Sequence, residues 1–107
     1  MRSKFSRQVS GLMLAALATA PALAQDAAAL RTKALAATCA NCHGTDGRPP
    51  QGSSFTPLAG MPTVLFTSRM QGFKTGTQSA TVMHQIAKGY TDPQIDALAA
   101  WFADQKR

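Results

Sequence analysis

Apolar residues recur at helical spacing in three stretches of this chain, and no run alternates in the two-residue period of a strand. From Asp26, a good N-cap, the positions Ala27, Leu30, Ala34 and Ala37 predict a packing face on a helix that ends at Thr38 and Cys39. A middle helix is predicted from Pro62, whose missing N–H costs little in a first turn, with Leu65, Phe66, Met70 and Phe73 as its apolar face and Gly76 as its end. Thr91-Asp92-Pro93-Gln94 is a capping box, with Thr91 as N-cap and Gln94 three residues on. The helix it opens buries Ile95, Leu98, Ala99 and Phe102, with Trp101 beside them. Gly44 to Gly60 is rich in Gly, Pro and Ser, and Pro49-Pro50 and Gly52 forbid a long helix there, so this stretch is a loop running around something. The pattern predicts a small all-α domain without internal repeats.

The amino terminus changes how the composition is read. Arg2, Lys4 and Arg7 precede an apolar stretch from Gly11 to Ala18, and Pro21 precedes Ala22-Leu23-Ala24, a small-x-small cleavage pattern. Residues 1–24 therefore read as a secretory signal peptide cleaved after Ala24, too short in its apolar part for a comfortable membrane span. Residues 25–107 form one domain, 83 of the 107 residues, near the size where an unaided core becomes marginal. Removing three of the eleven Lys and Arg leaves eight against five acidic residues, a net charge of +3. The high precursor pI was the only support for nucleic-acid binding, and it leaves with the presequence.

Cys39-Ala40-Asn41-Cys42-His43 uses both cysteines of the chain. C-x-x-C-H is the covalent attachment pattern of a c-type haem. Two cysteines three positions apart on a helical turn share a face, so both sulfurs can bond the two vinyl-derived carbons of one porphyrin. His43 then falls beneath the iron as an axial ligand. Other readings fit less well. A dithiol redox centre is expected near a β-α-β pattern, a zinc site needs four ligands with only His84 as an obvious fourth, and a bare disulfide is wasteful at this spacing. Thioether formation requires thiols meeting haem outside the reducing cytoplasm, so motif and presequence together point to a bacterial periplasm. One haem per mature chain is expected. The loop then runs along the ring edge, with Phe55 and Leu58 either on the porphyrin or anchoring the core, and Arg48 and Lys33 either neutralising propionates or solvated.

Met1 and Met13 leave with the presequence, so Met61, Met70 and Met83 are the sulfurs available as a sixth ligand. Met61 sits close to the loop, and Met70 reads as core. Met83 lies ahead of the last helix, far enough along the chain to return over the opposite haem face, and Met/His ligation suits electron transfer. His84 is its rival, with an exposed loop histidine as the plainer reading.

The mature chain resembles a small class I cytochrome c. Leu35 to Gly47, with the C-x-x-C-H motif inside it, resembles the haem segment of bacterial dihaem and short soluble cytochromes. Ala80-Thr81-Val82-Met83-His84-Gln85-Ile86-Ala87-Lys88-Gly89-Tyr90-Thr91-Asp92, leading into Leu98-Ala99-Ala100-Trp101-Phe102, is similar to the cytochrome subunit of flavocytochrome c sulfide dehydrogenase. The resemblance implies that Met83 is the axial methionine. It also implies that Pro57-Leu58-Ala59-Gly60 is the proline-containing haem loop, with the Pro57 carbonyl accepting the other ring N–H of His43. Where relatives carry glutamine, tyrosine and glutamine, this chain has Met61, Leu65 and Arg69, and Arg69 stands in for the tyrosine's propionate contact.

The resemblance further implies an electron carrier rather than an enzyme, with both axial positions filled and iron cycling between Fe(III) and Fe(II). Its expected partner is a sulfide-oxidising flavoprotein, without nucleic acid or a membrane anchor. A free shuttle to a terminal oxidase or another cytochrome is the same-fold alternative. A haem ligand sensor or peroxidase is the alternative of a different class, which carbon monoxide binding would reveal.

Overall fold

The computed structural model describes residues 20–107 in its backbone and residues 24–107 in their side-chain burial. Most of the expected signal peptide lies outside the described residues. The chain divides into two compact units, Met1–Arg31 and Thr32–Arg107.

Five α-helices follow one another among the described residues: α1 (Ala20–Ala37), α2 (Ala40–His43), α3 (Thr63–Thr75), α4 (Met83–Ala87) and α5 (Asp92–Ala103). A 3-10 turn over Thr45–Gly47 follows α2, and no strand forms among these residues. The class is the all-α one expected.

Helix α1 already runs before Asp26. Asp26 lies inside it rather than at its N-cap, because the alanine-rich stretch upstream is strongly helix-forming. Its packing face also differs: Leu30 is 68% exposed, whereas Ala36 is buried and Leu35 packs partly against the core.

The end of α1 is made by one side chain. In a continued helix the Cys39 N–H would bond the Leu35 carbonyl. That carbonyl instead accepts the Thr38 hydroxyl at 2.7 Å and the Thr38 N–H at 3.2 Å. The Cys39 N–H shifts to the Ala36 carbonyl at 3.1 Å, tightening the turn. Cys39 thus becomes the N-cap of α2 instead of the last residue of α1.

Helix α3 begins one residue later than expected. Pro62 is its N-cap, with its carbonyl accepting the Phe66 N–H at 3.0 Å, and Gly76 closes it in a left-handed conformation at φ 82°. Phe66 and Met70 face the core and Phe73 packs against it, but Leu65 is 40% exposed, on the neighbouring face. Helix α5 starts where expected. Thr91 Oγ1 accepts the Gln94 N–H at 3.4 Å while Gln94 Oε1 accepts the Thr91 N–H at 2.9 Å, the reciprocal pair of a capping box.

Helix α3 packs on both α4 and α5. Ile95, Leu98 and Phe102 are completely buried at its centre, each contributing about 1.5–3 kcal/mol by removal from water. The Phe102 ring stacks on Phe66 at 5.6 Å and meets Trp101 edge-on at 4.9 Å. These helices form the frame on which the loop from Gly44 to Gly60 is hung.

Candidate haem site

Helix α2 is one turn long, and its hydrogen bonds define the motif's shape. The Cys39 carbonyl accepts both the Cys42 N–H at 3.3 Å and the His43 N–H at 2.9 Å. Cys39 and Cys42 are therefore one turn apart, both half-buried and both free thiols. Burial pushes the Cys39 thiol above its ordinary pKa, and a side-chain hydrogen bond with Thr38 acts in the opposite direction. That shift is opposite to the one that activates a redox-active thiol, which weighs against a dithiol centre. Among the described residues no three His, Cys, Asp or Glu side chains cluster to hold a metal ion, so the zinc alternative lacks a ligand set there.

His43 is held from its outer nitrogen. Its Nδ1 lies 2.7 Å from the carbonyl oxygen of Thr56, which can only accept, so Nδ1 carries the proton and Nε2 keeps its lone pair. The acceptor is Thr56, not Pro57. The N–H groups of Leu58 and Ala59 both point at the Gly47 carbonyl, at 2.9 Å and 3.1 Å. In a trans peptide the carbonyl points opposite to the N–H, so the Pro57 carbonyl is turned away from Gly47. The carbonyl one residue earlier, that of Thr56, takes the imidazole N–H instead. Phe55 is 47% exposed, and its ring meets that of His43 edge-on at 6.0 Å, so it anchors no core.

The loop is pinned from behind. Gly60 N–H donates to the Phe102 carbonyl at 2.8 Å, Arg107 to the Gly60 carbonyl at 3.0 Å, and Arg48 Nε to the Lys106 carbonyl at 2.7 Å. Arg48 also meets Asp46 at 3.4 Å. A cleft of about 530 Å³ opens beside the loop, with Pro57, Met61 and Leu65 on its walls and Arg48 and Arg107 among its lining. Leu58, by contrast, sits in the core, 8% exposed. Arg69 stands one turn beyond Leu65, half-buried, without a hydrogen bond or ion pair among the described residues.

Of the three methionines among the described residues, Met61 and Met70 are core residues, 7% and 6% exposed. Met83 opens α4 and packs partly against the same cluster. His84 beside it has a buried Nδ1 with no partner, so it is not the plain exposed histidine of the sequence reading.

No family model matches the chain. Among curated proteins, the cytochrome subunit of sulfide dehydrogenase from Chlorobaculum tepidum is 37% identical over 75 residues, 69% of this chain and 66% of that protein. Cytochrome c-554(548) of Halomonas halodenitrificans is 33% identical over 74 residues, which cover 86% of its length. The chain belongs to the class I c-type cytochromes. Its cofactor is covalently attached haem c, and the relatives it matches are named as cytochromes. Cytochrome c4 of Pseudomonas aeruginosa is 36% identical over 83 residues, yet the match takes up 40% of that longer protein. The chain spans just under two thirds of the sulfide dehydrogenase subunit and less than half of cytochrome c4.

The geometry of this cytochrome fits that cofactor. Two unjoined thiols one turn apart, with a histidine whose Nε2 lone pair is left free by the Thr56 bond, form the donor set a c-type haem takes. No helix among the described residues is long and apolar enough to cross a membrane. The Tyr90 hydroxyl, which lies 2.8 Å from Thr38 Oγ1, was missed by sequence reasoning, since nothing local signals a contact across 52 positions.

Proposed function

We propose that this cytochrome is exported to the periplasm, with residues 1–24 removed, and that it accepts electrons one at a time from a sulfide-oxidising flavoprotein. Cys39 and Cys42 would hold the haem through their sulfurs, and His43 Nε2 and the Met83 sulfur would bind its iron. The observation that carries the partner is the 75-residue match to a cytochrome subunit of sulfide dehydrogenase. The ligand assignment is supported by the protonated Nδ1 of His43 and by the burial of Met61 and Met70 in the core, which leaves Met83 as the less buried sulfur.

The haem supplies one-electron chemistry at its iron. The chain's own residues do the rest. Thr56 fixes the imidazole's orientation and strengthens it as a ligand. Pro57 and Leu65 offer apolar wall to the ring, and Leu58 backs the loop from within the core. Arg69, half-buried and with no side-chain partner among the described residues, is a counter-charge for a propionate.

The test is native purification of the periplasmic protein, followed by sulfide addition with and without the co-purifying flavoprotein. The reading expects a flavoprotein in the complex and haem reduction that depends on it. Haem reduction by sulfide unaffected by loss of the flavoprotein contradicts the partner and favours the free shuttle.

A further inference from the structure

Tyr90 joins four helical segments at one point. Its hydroxyl lies 2.8 Å from Thr38 Oγ1, and because Thr38 gives its own proton to the Leu35 carbonyl, Tyr90 is the donor. The Tyr90 carbonyl accepts Lys74 Nζ from α3 at 2.9 Å, and its N–H bonds the Ala87 carbonyl at the end of α4 at 3.2 Å. The next residue, Thr91, caps α5. Tyr90 is half-buried, and its side chain packs against the core.

Met83 stands at the other end of the same short unit. Helix α4 is five residues long, too short to be stable by itself, and the bonds of Gly89 N–H to Ile86 at 3.0 Å and Tyr90 N–H to Ala87 close it into one turn-bound piece. Ala87, fully buried, is the residue of α4 that lies within the core, and Met83 and Tyr90 pack partly against it. A swing of this piece carries the Met83 sulfur out of its position, and the far end of the piece is tied to the residue preceding Cys39.

We propose that the Thr38–Tyr90 hydrogen bond is a latch that holds the Met83-bearing turn against the attachment segment, and so sets how readily an outside ligand displaces the thioether. Tyr90 is a positioning residue in this account, which rests on Met83 being the sixth ligand. An incoming ligand binds only the displaced state, so its apparent affinity scales with that state's population. Removing a bond present only in the closed state raises that population by the bond's net worth.

The experiment is an imidazole titration of the oxidised holoprotein, followed in the visible spectrum. Tyr90→Phe and Thr38→Val are each expected to tighten imidazole binding about two- to fivefold, the net effect of one hydrogen bond at a partly exposed position. Thr38→Ser, which keeps the hydroxyl, is expected to bind as the unaltered protein does, and the double variant Tyr90→Phe/Thr38→Val no more tightly than either single one. Unchanged affinity in both single variants, or effects that add in the double, overturns the latch. Failure of the underlying ligand assignment is seen separately: the sulfur-to-iron charge-transfer band would then be missing from the unaltered oxidised protein or would survive in Met83→Ala, and the latch would fall with it.

Discussion

Gly47 is a position where a single methyl group should cost this fold heavily. Its φ is +77°, and a Cβ there would come within 2.7 Å of the Ala59 nitrogen, 2.8 Å of Leu58 Cβ and 3.0 Å of Phe102 Cδ1. Two of these neighbours belong to the haem loop and the third is completely buried, so none can give way freely. The left-handed backbone alone costs an ordinary residue about 1–2 kcal/mol. Forcing the methyl against packed neighbours adds roughly 1–3 kcal/mol. Gly47→Ala is therefore expected to destabilise the oxidised holoprotein by about 2–5 kcal/mol. Gly52 separates the two contributions, because its φ is +84° but a Cβ there meets nothing within 4 Å. Gly52→Ala should cost only the backbone part, about 1–2 kcal/mol. Guanidinium unfolding followed by circular dichroism, with unchanged m-values, measures both. Equal losses in the two variants would refute the claim that Gly47 is required by close approach of the loop to α5.

Thr91→Ala removes half of the capping box of α5 and is expected to cost about 1 kcal/mol in the same unfolding assay; no change would mean the cap contributes nothing. Hydrogen bonds from Gln71 and Lys74, together with the Lys74 charge, hold the exposed Asp92 carboxyl below the usual aspartate range. Its contribution to stability is then complete above the unfolded aspartate's pKa of about 3.9 and is lost as pH falls through the lower folded value. Asp92→Asn is expected to flatten that acid limb in a series of melting temperatures, and an unaltered limb contradicts the pairing.

Features governed by neighbours in sequence were legible, and those governed by distant contacts were not. The capping box at Thr91 and Gln94 and the face of Ile95, Leu98, Ala99 and Phe102 are written in local spacing, and the structure follows them. The C-x-x-C-H motif was equally plain, because its chemistry needs only five consecutive residues. The first helix was misjudged at both ends. Asp26 is a good cap in isolation, but the alanines before it carry the helix past it, and the Thr38 hydroxyl ends it before Cys39. Leu65 fits the apolar face of α3 by type, yet Phe66 and Met70 claim the core and leave it at the cleft. The His43 acceptor lies one residue from its expected place because two hydrogen bonds, from the Leu58 and Ala59 N–H groups to the Gly47 carbonyl at the other end of the loop, turn the Pro57 carbonyl away.

The account's central claim is an iron held between His43 Nε2 and the Met83 sulfur, and the oxidised visible spectrum of Met83→Ala beside His84→Ala tests it most directly. The expected result is a sulfur-to-iron charge-transfer band at the red end in the unaltered protein and in His84→Ala, and its loss in Met83→Ala. A band that survives in Met83→Ala, or that is missing from the unaltered protein, contradicts it.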